Sequence, residues 1–180
     1  AQAFATPVII DAEIRDGSFR EAARAKGIPM LLYEGGEALR FEEPAIQSGV
    51  RGIVNVMRHL GMLPARGKPA KLPTQILSTQ WLRASSSGIL RKPRALGTVV
   101  RQDEIVGTIS DPFGDDEIAL TAPYDSLIIG RLNLPMVNEG EAVFHLARFD
   151  DHRDMSTAVA AVRNTMEDIP EPRDYQPSAD

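Results

Sequence analysis

One glutamate stands where a catalytic carboxylate could lie. Residues 31–43 read LLYEGGEALRFEE, so Glu34 ends an apolar run and is followed by Gly35 and Gly36. A carboxylate beside Tyr33 and two glycines can be partly removed from water, which raises its pKa toward neutrality and suits general acid/base chemistry. Glycine also allows a ligand to approach the backbone closely. The alternative is that the two glycines form an ordinary turn and Glu34 points into solvent.

The three histidines give no metal-binding pattern. His59 lies near the end of a predicted helix, His145 in a predicted strand, and His152 in the charged segment DDHRD. None of them belongs to an HxxE, HxH or HExxH spacing. The chain has no cysteine, which excludes disulfides and thiolate metal sites and is typical of a cytoplasmic protein. The sequence therefore predicts no metal ligands in this chain.

Other catalytic patterns are weak. The run SSSG at 85–88 lacks a nucleophile elbow and indicates a turn, and no phosphate-binding glycine motif occurs. The phrases GTVVRQDEIVGTI at 97–109 and LTAPYDSLI at 120–128 resemble biotinyl/lipoyl carrier domains. In a carrier, the attachment lysine lies in a hairpin that here reads SDPFGDDEIAL, and no lysine occurs after Lys92. Covalent cofactor carriage is excluded, and a barrel of that architecture remains.

The totals are those of a globular protein. The chain has 180 residues, 43% of them hydrophobic and 25% charged, which suffices for one large or two small domains. Neither a membrane span of ~20 apolar residues nor a signal peptide is visible. The net charge of -5 argues against nucleic acid as the main partner. Because a strand pattern follows almost at once after Ala1, which is not Met, we expect a fragment of a longer protein.

The first part of the chain predicts an α/β arrangement. PVIID at 7–11 indicates a buried strand, and Ser18 with Glu21 forms a capping box for a helix that Gly27 ends. Residues 30–34 read MLLYE and indicate a second strand. Strand, helix and strand predict a parallel βαβ unit, in which catalytic groups lie at the carboxyl ends of strands. Glu34 would occupy such an end.

A longer helix is predicted from Pro44 to Gly61. Its apolar residues recur at helical spacing and are expected to pack on the sheet. They are Ile46, Val50, Ile53, Val54, Met57 and Leu60. We place the α/β part at 1–63 and a linker at 64–75, where prolines and basic residues concentrate.

Residues 76–148 predict an all-β domain with an internal repeat. The stretch that begins at Ser87 resembles the one at Asp125, and Glu104 and Glu141 lie in matching contexts. Two similar halves favour a small barrel or sandwich with approximate two-fold symmetry. Residues 149–180 predict a short helix and a disordered tail.

The residues quoted above resemble the succinylglutamate desuccinylase/aspartoacylase family of zinc-dependent deacylases. The likeness rests on GSFREAARAKGIPMLLYEGGEALRFEE, RGIVNVMRHLGML and the β segment, over roughly residues 1–147. It implies the C-terminal part of a zinc-carboxypeptidase-like α/β domain followed by an all-β barrel-sandwich domain. It also implies that Glu34 is the general acid/base at a zinc-bound water, with the zinc ligands upstream of this chain.

The implied activity is hydrolysis of the amide of a small N-acyl amino acid. Arg40 could bind the substrate, although pairing with Glu37 or Glu43 explains it equally well, and the loop at 133–141 could limit substrate size. We expect a homo-oligomer and neither nucleic acid nor membrane as partner. The alternative is a non-catalytic binding or assembly protein that uses the β-barrel.

Overall fold

The computed structural model describes residues 1–65, 73–76 and 78–148, and the chain divides into two compact units. The described part of the first unit is residues 1–9, 13–65 and 73, and that of the second is 10–12, 74–76 and 78–148. The predicted boundaries at 63, 75 and 148 stay predictions. The helix and tail predicted for 149–180 lie outside the described residues.

The first unit holds the helices. A 3₁₀ turn at Gln2–Phe4 precedes strand β1 (Val8–Ile10), helix α1 (Phe19–Ala25) and helix α2 (Glu43–His59). Strand β1 confirms the first predicted strand, although Val8 and Ile9 are only partly buried and Ile10 is exposed. Its end, Ile10, belongs to the second unit because this segment pairs with strand β2 (Thr74–Ile76).

Helix α1 begins and ends as its sequence predicts. The Ser18 hydroxyl accepts a hydrogen bond from the N–H of Glu21 (3.2 Å), and the Glu21 carboxylate accepts one from the N–H of Gly17 (2.6 Å). These bonds satisfy donors that have no partner within the helix. At the other end Gly27 has φ +68°, and the N–H of Ile28 returns to the carbonyl of Ala23 (2.9 Å). This closure is the Schellman motif, which glycine favours.

The strand predicted at 30–34 is wrong. Residues 28–35 form no regular element, and Leu31 and Leu32 are exposed by 49% and 60%. A strand needs a neighbour to accept and donate its backbone hydrogen bonds, and within the described ranges none pairs with this segment. The parallel βαβ unit is therefore not formed by these residues.

The packing predicted for α2 is also wrong. Four residues of its apolar stripe are exposed: Ile46, Val50, Ile53 and Leu60. The buried residues of the helix are instead Gly49 and Gly52. A Cβ atom on Gly52 would lie 2.2 Å from the Phe4 ring, so this glycine lets the ring reach the helix backbone. The limits of the helix agree with the prediction, with Pro44 in the first turn and Gly61 at φ +73° after the last.

The described part of the second unit beyond β2 contains only β-strands, as predicted. One antiparallel sheet has the order β3-β10-β8-β5 and the other β7-β6-β4-β9. The strands are β3 (Thr79–Arg83), β4 (Gly88–Arg91), β5 (Val99–Val100), β6 (Ile105–Ser110), β7 (Glu117–Thr121), β8 (Ser126–Arg131), β9 (Met136–Val137) and β10 (Ala142–Arg148). Phe144, Leu146, Ile109 and Val106 lie in one core that both sheets share.

The internal repeat is confirmed in the strand order. Strands β4, β5 and β6 form one half and β8, β9 and β10 the other. In each half the first and third strands lie in one sheet and the second strand lies in the opposite sheet. The two halves therefore exchange their middle strands across the core.

The repeat extends to individual hydrogen bonds. The Glu104 carboxylate accepts from the N–H of Arg101 (3.1 Å), and the Glu141 carboxylate accepts from the N–H of Asn138 (2.9 Å). Each glutamate follows a residue with positive φ, Asp103 in one half and Gly140 in the other. The matching sequence contexts thus encode one turn twice, in which a carboxylate closes the loop that leads into the third strand.

Candidate functional site

A cleft of about 220 Å³ lies in the first unit, between the loop after Tyr33 and the first turns of α2. The apolar and small residues that line it are Tyr33, Gly35, Gly36, Phe41, Ala45 and Ile46; the charged ones are Glu37, Arg40 and Glu42. The two candidate site residues therefore differ in their relation to the cleft. Arg40 lines it, whereas Glu34 is not a lining residue but stands in the chain between two that are, Tyr33 and Gly35.

Glu34 is exposed to solvent. The partial desolvation expected from its sequence context is therefore not observed. Its backbone is nevertheless held in place. Tyr33 on one side is hydrogen-bonded to Ala45, and Gly35 on the other side lies close to the Tyr33 hydroxyl. The carboxylate is thus carried by an anchored stretch of backbone and can meet a ligand in solvent.

The two glycines after Glu34 have different roles. Gly36 adopts φ +83°, a left-handed conformation that residues with a Cβ atom rarely tolerate, and this turns the chain toward α2. Gly35 has no such angle, but a Cβ atom on it would lie 2.7 Å from the hydroxyl oxygen of Tyr33. The first glycine therefore makes room for a side chain and the second makes the turn.

Arg40 pairs with Glu37. Its Nε lies 3.2 Å from Oε2 of Glu37, and the two side chains are 66% and 28% exposed. A pair this exposed adds little to stability, about 0–1 kcal/mol. This was one of the two pairings that the sequence suggested for Arg40. The pair lies on the cleft wall, so it also gives the wall a cation beside an anion.

The three histidines lie in separate parts of the chain and form no common metal site among the described residues. His59 is exposed in the last turn of α2, where a helix favours a cation. His145 stacks on Trp81 across strands β10 and β3, with ring centroids 4.5 Å apart and planes 8° apart. His152 lies outside the described residues. Within residues 1–65, 73–76 and 78–148, no three His, Asp or Glu side chains are grouped so that they could hold a metal ion.

Two groups of the second unit have shifted pKa values, and neither lies at the cleft. The hydrogen bond from Thr108, with help from Lys92 and Arg91, lowers the pKa of the exposed Glu117. Burial raises the pKa of Tyr124, against the opposing charge of Arg148. Both shifts follow from contacts of these side chains within the second unit.

Sequence reasoning missed one interaction of the site. The Tyr33 hydroxyl donates a hydrogen bond to the carbonyl of Ala45 in the first turn of α2 (2.7 Å). The sequence pointed to Tyr33 only as an apolar neighbour of Glu34. The sequence feature that could have indicated this contact is Gly49 on α2. A Cβ atom there would lie 3.0 Å from the tyrosine ring, so a glycine lets the ring approach the helix.

Solved structures of similar fold cover most of the chain. The ectoine utilization protein EutE (DoeB) from Ruegeria pomeroyi matches 82% of this chain with a TM-score of 0.73 and 18% identity. A succinylglutamate desuccinylase/aspartoacylase from Rhodobacter sphaeroides matches 84% with a TM-score of 0.71 and 22% identity. An aspartoacylase family protein from Mesorhizobium loti matches 81% with a TM-score of 0.63 and 20% identity. This chain has the fold of the part of each structure that it matches.

The likeness is one of structure. No protein-family model matches the sequence, and no curated protein matches it significantly. The chain spans about half the length of the three solved structures, namely 49%, 48% and 51%. Among the residues that the structure describes, no helix is both long and apolar enough to cross a bilayer.

Proposed function

We propose that this chain belongs to the succinylglutamate desuccinylase/aspartoacylase family and supplies the proton-transferring glutamate of a hydrolase. The substrate class would be the amide of a small N-acyl amino acid. The observations that support the proposal are the fold shared with proteins of that name and the place of Glu34 in the chain between Tyr33 and Gly35, which both line the cleft. The position of Glu34 before Gly35 and Gly36 agrees with the family motif to which the sequence is similar.

Amide hydrolysis needs a group that moves protons. Glu34 would take a proton from the attacking water and return it to the nitrogen of the leaving amine. An exposed carboxylate on an anchored backbone can do both, since it accepts hydrogen bonds when ionised and donates one when protonated. Without the second transfer the amine is a poor leaving group, so one residue serves both halves of the reaction.

The residues described here do not fit a zinc ion, because they form no ligand set. We therefore assign no step of the reaction to the metal. The zinc that the resemblance implies would need ligands from outside the described residues, either from the same polypeptide or from another.

Arg40 is proposed to bind the carboxylate of the substrate. A guanidinium presents a planar fork of donors that matches a carboxylate, and Arg40 already faces the cleft. Its partner Glu37 would hold the side chain against the wall through Nε. The second unit is proposed to be a barrel-sandwich domain, and a homo-oligomeric, cytoplasmic protein remains our expectation.

The proposal is tested with Glu34→Gln in the protein expressed from its complete coding sequence. Glutamine keeps the size of the side chain and cannot transfer the proton. We expect hydrolysis of N-acyl amino acids to fall by roughly 10²–10⁴-fold with the fold and the metal content unchanged. The matched control is Glu13→Gln, at an exposed carboxylate of the same unit, which should leave the rate unchanged. Near-normal turnover of Glu34→Gln would refute the catalytic role of Glu34, whereas no hydrolysis by the unsubstituted protein would favour the binding or assembly protein.

A further inference from the structure

The side chain of Tyr33 connects the segment that carries Glu34 to helix α2. Its hydroxyl donates to the carbonyl of Ala45 (2.7 Å), and its ring lies against Gly49 one turn further along the helix. The Phe4 ring packs on the same tyrosine, with centroids 5.4 Å apart and planes tilted by 35°. Tyr33 is therefore fixed at its hydroxyl and along its ring, although it is 38% exposed.

Two glycines show how closely the tyrosine is held. A Cβ atom on Gly35 would lie 2.7 Å from the tyrosine hydroxyl oxygen, and one on Gly49 would lie 3.0 Å from the ring carbon Cε1. Both distances are shorter than ordinary contacts. The phenol thus occupies the space between the backbone of Gly35 and the backbone of α2.

Glu34 lies between the two residues that make these contacts. Its backbone is attached to Tyr33, which is bonded to α2, and to Gly35, which rests on the same phenol. No strand among the described residues pairs with this segment, so backbone pairing does not hold it in place. Next to the carboxylate, Tyr33 is the residue that connects this segment to a regular element, helix α2.

We propose that Tyr33 is a positioning residue that fixes the Glu34 carboxylate relative to α2 and the cleft. This inference rests on the proposed function, in which Glu34 transfers the proton. The hydroxyl makes no contact with substrate in this role. It acts by restricting the backbone on both sides of Glu34, so that the carboxylate spends more time in the geometry that proton transfer requires.

The first test needs no activity. Tyr33→Phe in the 180-residue chain removes the hydroxyl and keeps the ring. We expect the NMR backbone order parameters of Glu34, Gly35 and Gly36 to fall from about 0.85 toward about 0.6, with no change in the central turns of α2. The matched control is Tyr124→Phe in the second unit, which should leave the order parameter of Glu34 unchanged. Unchanged order parameters in Tyr33→Phe would overturn the proposal.

The second test is kinetic and uses the protein from the complete coding sequence. Tyr33→Phe should lower kcat roughly three- to tenfold, the worth of one hydrogen bond, and leave KM within about twofold. In a Glu34→Gln background the same change should have no further effect, because the group that it positions is gone. An equal loss in both backgrounds, or a change confined to KM, would show that Tyr33 does not act through Glu34.

A second variant disturbs the same contact without removing the Tyr33 hydroxyl. Gly35→Ala leaves Tyr33 intact but places a methyl group against its hydroxyl oxygen, so it should lower kcat in the same way. Combined with Tyr33→Phe, the alanine should cost less than it does alone. An additive cost would contradict the proposal. If Glu34→Gln itself retains turnover, the proposed function fails, and the order parameters still decide whether Tyr33 holds the segment.

Discussion

The two units bury their apolar residues to very different degrees. Of the buried apolar residues in the described part of the chain, only Ala23 lies in the first unit, and the others lie in the second. The second unit closes a core between two sheets, whereas the first exposes Val50, Ile53 and Leu32 by 52%, 58% and 60%. The candidate site thus lies in the unit whose described residues form no core of their own.

The difference follows from how each kind of element satisfies its backbone. In the second unit, strands from both halves of a repeat supply each other with hydrogen-bond partners and apolar faces. In the first, a helix satisfies its own backbone, but an isolated extended segment such as 30–34 cannot. The first unit relies on individual hydrogen bonds, such as those that cap α1 and the one between Tyr33 and Ala45.

The largest difference in the free energy of unfolding is expected when an isoleucine is replaced by alanine in each unit. Ile109→Ala removes a core side chain that is 2% exposed and should cost about 2–5 kcal/mol. Ile53→Ala removes one that is 58% exposed and should change the free energy of unfolding by less than about 0.5 kcal/mol. Urea unfolding followed by Trp81 fluorescence reports the second unit, and far-UV circular dichroism reports the helices. A large cost for Ile53→Ala would mean that the α2 stripe is covered in solution.

A smaller contrast is expected at two tightly packed glycines. A Cβ atom on Gly88 would lie 2.4 Å from the carbonyl oxygen of Ser110, which is backbone of the paired strand, so Gly88→Ala should cost about 1–3 kcal/mol. On Gly52 the Cβ atom would meet the Phe4 ring, which can turn away, and alanine favours the helix by about 1 kcal/mol. Gly52→Ala should therefore cost less in urea unfolding.

The Phe4 ring provides the control for that pair. In a Phe4→Ala background the space beside Gly52 is empty, so Gly52→Ala should become stabilising. Continued destabilisation there would mean that something other than the ring restricts the helix, and the difference between the units would be smaller than the structure indicates.

The smallest effects are expected at the repeated turns. Glu104→Ala and Glu141→Ala each remove the carboxylate that closes a turn and should each cost about 1 kcal/mol in the Trp81 transition. Glu104 also pairs with Arg94 (2.8 Å), which could add about 0.2–1 kcal/mol to its loss. Ser18→Ala removes a comparable bond in the first unit and should leave this transition unmoved. A shift in that variant would show that the two units unfold together.

The sequence by itself determined the elements that depend on local chemistry. The cap of α1, the glycine that ends α2 and the repeat in the second unit could all be read from residue types and their spacing. Each depends on hydrogen bonds or backbone angles within a few residues, or on a pattern that occurs twice. The position of Glu34 just before a glycine turn was readable for the same reason.

Only the tertiary structure decided which apolar residues find partners. The pattern of MLLYE fits a strand, but a strand forms when a second segment supplies its hydrogen bonds, and the described residues supply none. The stripe of α2 likewise predicts a buried face, yet here the helix buries Gly49 and Gly52 against aromatic rings. The bond from Tyr33 to Ala45 spans twelve residues and depends on that packing, so Glu34 owes its anchoring to a contact that local sequence does not specify.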